Sequence, residues 1–178
     1  MDVYDAILQR RSVRSYLPRE VPKALIQRML EAARWAPSGS NMQSWKFIVV
    51  RDPRVLEMVR KVSPGMFGKP PAAIVVCSDR SRAYELGGEL GRDYGAIVDS
   101  ALATENLVLA ACSLGLATCI VKSFAESAVS ELLDLPEHIK PELIVIVGYP
   151  KEVPRPPPKL PLKDMTYEEK FGMPWEEG

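Results

Sequence analysis

Three arginines and two serines fall within residues 10–16, Arg10-Arg11-Ser12-Val13-Arg14-Ser15-Tyr16, with no carboxylate among them. In an extended segment side chains alternate faces, which sets Arg10, Ser12 and Arg14 on one side. That face is a small anion socket. A guanidinium fork grips phosphate oxygens in two places, a serine hydroxyl fills a third, and charge shortens and strengthens each bond. A solvated basic turn has the same composition, so the choice between the two readings falls to other segments.

Residues 36–45, Ala36-Pro37-Ser38-Gly39-Ser40-Asn41-Met42-Gln43-Ser44-Trp45, are the second informative stretch. The stretch exceeds a plain connection of about four to six residues and gathers hydroxyl and amide groups beside an indole. Such groups suit a planar heterocycle with polar edges. Proline, serine, glycine and asparagine are also what ordinary turns are made of. Gln43 followed by Trp45 is what that plainer reading leaves unexplained.

The rest of the chain limits the chemistry available. With 23 basic and 23 acidic residues the basic block is a local feature, whereas a nucleic-acid binder carries a net basic domain or stripe. The three cysteines, Cys77, Cys112 and Cys119, sit in apolar runs without C-x-x-C spacing, and read as small buried hydrophobes. His138 is the single histidine, too few parts for a metal centre or a histidine-based triad. Residues 1–8 mix acids with apolar residues, unlike a signal peptide, and no apolar run approaches the roughly 20 residues of a membrane span. A soluble, cytoplasmic protein is expected, with neither nucleic acid nor membrane as partner.

These residues need a scaffold, and 178 residues, 47% of them hydrophobic, suffice for one domain with one sizeable core. Residues 2–9 read as a short helix capped by Asp2, which delivers the basic block. Pro22 suits a first helical position, and Leu25, Ile26, Met29, Leu30 and Ala33 follow at helical spacing until Pro37. Residues 47–50 form an apolar strand, Asp52 and Pro53 open a third helix, and residues 63–71 are a loop broken by glycine and proline. Residues 72–77 suit a buried strand; the polar stretch 78–92 has no clear assignment. The longest helix expected covers residues 93–114, with Gly115 ending it. Its apolar residues surround the axis, so it must cross the middle of the domain or meet another subunit, and both are expected. Residues 117–121 and 143–147 are further strands. Between them a helix over residues 124–133 begins with a capping-box pair, Ser123 and Glu126, and offers open amides. Residues 151–178 lack periodicity and are crowded with proline, which makes them disordered or an arm lying on something else; Tyr167, Phe171 and Trp175 favour the arm.

Taken together, four blocks resemble the FMN-dependent nitroreductase family. Residues 10–16 resemble its R-R-S-[IV]-R opening, and residues 36–45 its A-P-S-x-x-N-x-Q-P-W segment. Residues 106–116 match its N-L-x-L-A-A-x-x-L-G-L stretch, and Gly148-Tyr149-Pro150 its late G-Y-P. Ser44 stands where the family usually has proline, Lys159 stands for a late arginine, and the chain is short for the family.

The resemblance implies an α+β fold, a mixed sandwich around a central antiparallel sheet flanked by helices, assembled as an intertwined homodimer with FMN at the subunit interface. Residues 1–150 would be the FMN-binding core and residues 151–178 an arm packing on the partner subunit. Alternation of strands and helices alone suggests a parallel sheet; here the resemblance takes precedence. It assigns Arg10, Arg11, Ser12 and Arg14 to the FMN phosphate and ribityl chain, with Lys159 completing the shell and Arg155 or Lys151 as alternatives. Pro37, Ser38, Gly39 and Asn41 would line the cofactor from the other subunit, Gln43 orienting their loop, and the backbone at Lys122 and Ser123 would lie near the flavin ring. No dedicated catalytic acid or base is expected. The implied activity is reduction of quinones, nitroaromatics or similar acceptors by NADH or NADPH, by ping-pong two-electron transfer. Residues 63–71 and 78–92 would border the acceptor pocket. The alternatives are a specialised enzyme of the same fold, a reductive dehalogenase or flavin-fragmenting synthase, and a non-enzymatic flavin-binding protein.

Overall fold

In the computed structural model, which describes residues 1–175, the strands sort by how apolar they are. β2 (Ala72–Asp79) and β4 (Ile139–Gly148) are apolar on both faces and lie at the centre, while β1 (Trp45–Val50) and β3 (Ala117–Val121) take the edges, in the order β1-β2-β4-β3. Every neighbouring pair is antiparallel. The mixed α+β sandwich and its antiparallel sheet are therefore present, and the parallel sheet suggested by alternation alone is not.

Period-two alternation divides the core between the two faces. Ile74, Val76, Val145 and Val147 face one way and pack with Met29 and Ala33 of α2 (Lys23–Arg34) and Leu107 and Val108 of α5 (Ala96–Ser113). Ala73, Val75, Ile144 and Ile146 face the other way. They meet Leu56 and Val59 of α3 (Pro53–Lys61), Val129 of α6 (Glu126–Leu132), and Val13 and Tyr16 of the basic block. Asp2 caps α1 (Val3–Gln9) through the Asp5 amide at 2.8 Å, and Asp52 caps α3 through Arg54 and Val55. Pro22 sits at the cap of α2, one residue before the position expected for it.

The unassigned stretch 78–92 is largely helical: α4 (Arg80–Leu90), capped by Asp79, runs through a π-helical turn at Gly91–Gly95 into α5. The longest helix thus begins regularly at Ala96 rather than at residue 93. Gly87, Gly91 and Gly95 all face the Met42 side chain, and a Cβ at Gly91 would fall 2.5 Å from the Ala83 carbonyl oxygen. This stretch follows no apolar period because its buried side is built of Ala83, Ala96 and glycines set against one methionine. By length and composition the span Arg80–Ser113 could cross a membrane, but Ala103, Leu107, Val108 and Ala111 are fully buried. It is a core helix that leaves Ile97, Ala101 and Leu102 exposed on its far side.

Two expectations need correction. The helix after β3 starts at Glu126 with Ala125 at its cap and no side-chain cap, so Ser123 and Glu126 form no capping box. The Ser123 carbonyl instead accepts the Gly65 amide at 3.1 Å, and the Ala125 amide donates to the Val62 carbonyl at 2.8 Å. The stretch 151–175, expected to be without structure of its own, contains a 3-10 turn at Leu162–Asp164. It also has a bridge between Tyr167 and Pro174 and a contact of the Tyr167 and Phe171 rings at 4.5 Å. None of its residues is buried. Residues 176–178 of the expected arm lie outside the described residues.

Gly148 closes β4 where a Cβ would lie 2.6 Å from Pro71 Cδ and 2.8 Å from Tyr16 Cδ1. Gly148→Ala is expected to lower stability by about 1–3 kcal/mol through overpacking, measured as a shift of the urea unfolding midpoint.

Candidate functional site

The basic block is extended because two of its side chains are drawn into the core. Val13 is 2% and Tyr16 9% exposed, and backbone bonds tie the same stretch to β3 and to the end of β4. The Val13 amide donates to Thr118, Leu17 to Tyr149, and Lys151 back to Ser15, each at 2.9 Å. The buried Tyr16 hydroxyl donates to the Val13 carbonyl at 2.6 Å, and burial pushes its pKa well above the ordinary phenol value. With Val13 inward, alternation leaves Ser12 and Arg14 outward.

A cavity of 710 Å³ opens there, lined by Arg10, Arg11, Ser12 and Arg14 together with Arg155 and Lys159. Lys151, the third alternative for the late basic position, does not line it. Five cationic side chains thus face one carboxylate, Glu105 of α5, whose Oε1 lies 3.5 Å from Arg10 Nε. Arg11 turns partly aside: its Nη1 donates to the carbonyls of Leu8 and Arg10, both at 2.7 Å, satisfying the open end of α1. Arg14 is exposed, with only a long 3.5 Å contact to the Ser12 carbonyl. Its donors remain available. The cavity holds an excess of positive charge on partly fixed guanidinium groups, suited to a phosphate.

The second stretch folds into a turn around Gly39–Asn41 in which Ser40, Asn41 and Gln43 have φ of 50°, 55° and 47°. Three non-glycine residues in the left-handed region within four positions constitute a strained loop of the kind that gathers at functional sites. Met42 pins it among the glycines of the α4–α5 span, and Arg82 Nε donates to the Met42 carbonyl at 2.5 Å. The Gln43 side chain donates to Asn41 Oδ1 at 3.0 Å, so it braces its own loop. The Gly39 amide donates to Asp99 Oδ1 at 3.2 Å. Asp99 is 3% exposed, and its Oδ2 has no partner. Burial holds its carboxyl above the ordinary value, partly opposed by the Gly39 bond.

Within one chain the two stretches stay apart. Asp99 and Glu105 mark their positions on α5; six residues span about 9 Å along the axis and roughly 240° around it. Pro37, Ser38, Gly39 and Asn41 do not line the cavity of Arg10. Lys122 and Ser123 are exposed beyond β3, and the loop at 65–68 lies between them and the basic block, where Gly65 meets Ser123 and Gly68 meets the Arg14 carbonyl. Their amides are not a helix start. Residues 63–71 and α4 also lie outside this cavity. Asp99 and Glu105 escaped the sequence reading, although each is an acid interrupting an otherwise apolar helix.

Cys77 and Cys119 are buried and Cys112 half-buried, all three free, and burial pushes the Cys77 thiol up to about 12. Among the described residues no group of three potential metal ligands occurs.

Comparison with known proteins accords with this geometry. The model of the Nitroreductase family matches residues 7–64 and 57–149. A protein of Methanothermobacter thermautotrophicus that bears the name NADH dehydrogenase/NAD(P)H nitroreductase is 38% identical over 160 residues, covering 86% of this chain and 80% of that protein. FMN reductase (NADPH) of Bacillus subtilis is 27% identical over 188 residues, covering 95% and 74%. Among solved structures, the NfrA1 nitroreductase of B. subtilis superposes with a TM-score of 0.86 at 25% identity, covering 96% of this chain and 75% of that one. NfrA2 of B. megaterium gives 0.88 at 26%, covering 97% and 76%. An extended arginine block on the sheet edge, a strained polar loop and an antiparallel sandwich thus coincide with a match over most of the chain, and the protein belongs to the nitroreductase family.

Proposed function

We propose that this protein binds FMN across the interface of a homodimer and uses NADH or NADPH to reduce quinones, nitroaromatics or similar acceptors in ping-pong turnover. Its family membership makes it an FMN-dependent oxidoreductase with a reduced nicotinamide as electron donor. The observation that carries the reading is the cationic cavity, in which Arg10, Arg14, Arg155 and Lys159 converge. A phosphate dianion fits it; so does the shortage of carboxylates around it. When bound, FMN supplies two-electron transfer between donor and acceptor, and the chain itself binds, orients and shields.

Arg10 and Arg14 are the phosphate ligands, Ser12 adds a hydroxyl, and Lys159 and Arg155 close the far side. Arg11 contributes charge while it secures α1. Pro37, Ser38, Gly39 and Asn41 act from the second copy, because one chain keeps that loop on a different face from its own cavity. The apolar surface agrees with such a partner: Val3, Tyr4, Ile97 and Leu102 are exposed on the body, and Leu160, Phe171 and Trp175 on the arm. Large exposed apolar patches mark association sites, and the arm is assigned to the partner subunit. Lys122 and Ser123 are placed near the flavin ring by this reading, as they follow directly on the strand that carries Thr118 and Ile120. The cytoplasm is the assigned compartment, in keeping with three free thiols.

Purified protein is expected to be yellow, dimeric by sedimentation equilibrium, and to bleach on anaerobic titration with a nicotinamide and regain colour with menadione. A colourless monomer that takes up no FMN contradicts the reading. Arg14→Ala removes a charge-assisted contact worth about 1.5–3 kcal/mol, so FMN should bind about 10- to 150-fold more weakly in fluorescence titration. Asp99 supplies a pH test. Its folded pKa lies above the ordinary 3.8, so the unfolded chain releases this proton first, and stability falls as pH rises through that window. Asp99→Asn keeps an acceptor for Gly39 and lacks the ionisation. Its unfolding free energy relative to wild type should rise with pH above 3.8 and then level off, as read by denaturant titration at a series of pH values.

A further inference from the structure

On the α3 side of the molecule lies a second cavity, of 310 Å³, that shares no lining residue with the first. Its floor is apolar, with Leu56 and Met66 almost fully buried and Pro53 and Pro71 as walls. Its rim carries four cations, Arg19, Arg51, Arg60 and Lys69, against two carboxylates, Glu20 and Glu57. The lining has a formal charge of +2.

All three guanidinium groups are held in place without exhausting their donors. Arg19 lies over the Tyr149 ring at 4.0 Å from its centroid. Arg51 Nη2 donates to the Val21 carbonyl at 3.3 Å and lies 3.6 Å from Glu20 Oε2. Arg60 grips Glu57 through Nε and Nη2 at 2.9 and 2.6 Å. Since a guanidinium carries five N–H donors, each retains several for a further acceptor. Lys69 is exposed and makes no ion pair among the described residues. Paired surface charges alone need no excess of cations and no apolar floor; this cleft has both.

We propose that this cleft is a second anion site which takes a small phosphate monoester with an aromatic body. The dianion balances the charge of +2, fixed guanidinium forks match phosphate oxygens, and the proline, leucine and methionine floor accepts one ring. A cavity of 310 Å³ is at the small end of ligand pockets, which excludes a dinucleotide. The site owes nothing to the flavin assignment, because it uses none of the residues around Arg10.

The test is isothermal titration of the full-length protein with phenyl phosphate after saturation with FMN and removal of the excess, so that the cavity of Arg10 is filled and no free flavin phosphate competes for the cleft. Saturable binding is expected, weaker by about tenfold or more in Lys69→Glu. Absence of saturable binding, or wild-type affinity in Lys69→Glu, would each overturn the assignment. Inorganic phosphate is expected to bind more weakly, since it forgoes the floor; equal affinity for the two would reject the aromatic ligand class. FMN uptake is read separately by its absorbance, and dependence on Lys69, which lines the cleft and not the cavity of Arg10, tells the two sites apart even in protein that takes up no FMN.

Discussion

Burial of Val13 and Tyr16 is the constraint on which the rest of the site depends. Both side chains enter the same half of the core as Val75 and Ile146, and period-two alternation then leaves the side chains of Ser12 and Arg14 nowhere to go but outward. Tyr16 adds a buried hydrogen bond to Val13, which satisfies a hydroxyl that would be costly to bury alone. Around this anchor the chain makes room. Gly148 admits the Tyr16 ring, and Gly68, at φ 75°, lets its loop touch the Arg14 carbonyl, where a Cβ would lie at 2.3 Å. The late G-Y-P block is thus as much a packing requirement of the basic block as a signature in its own right.

Gathering five cations around one cavity is unfavourable in the absence of an anion, and the fold limits the cost in two ways. Glu105 lies beside Arg10, and Arg11 directs part of its guanidinium to main-chain carbonyls at the end of α1. The remaining excess is what a phosphate group relieves. Because these groups are partly exposed, each pair contributes little to stability; in the proposed function their value lies in binding a charged ligand.

The strained loop obeys a different logic. Ser40, Asn41 and Gln43 hold left-handed backbone that no single interaction would maintain. Three restraints act together: Met42 set into a row of glycines, the Gly39 amide on Asp99, and the Gln43 side chain on Asn41. Asp99 bears the largest burden, being a buried carboxyl with one oxygen unpartnered. A loop held so firmly, yet displayed on a different face from the basic cavity, fits the proposal of a site completed by a second copy.

The sequence by itself determined what depends on local backbone geometry. Helical spacing located α2 and α3, apolar runs located all four strands, the Arg10–Tyr16 alternation was readable from residue types, and four ordered blocks were enough for the family. Tertiary structure decided what depends on convergence. It brought Arg155 and Lys159 to the cavity of residues 10–14, turned Arg11 partly back onto α1, and replaced the expected Ser123 cap with a bond to Gly65. It also made a helix of residues 80–90, where Gly87 shows no apolar period because its partner, Met42, lies forty-five residues earlier in the chain. Periodicity is set by neighbours within one or two turns, whereas sites such as those of Asp99 and Glu105 form only when the sheet order and helix packing bring distant segments into contact.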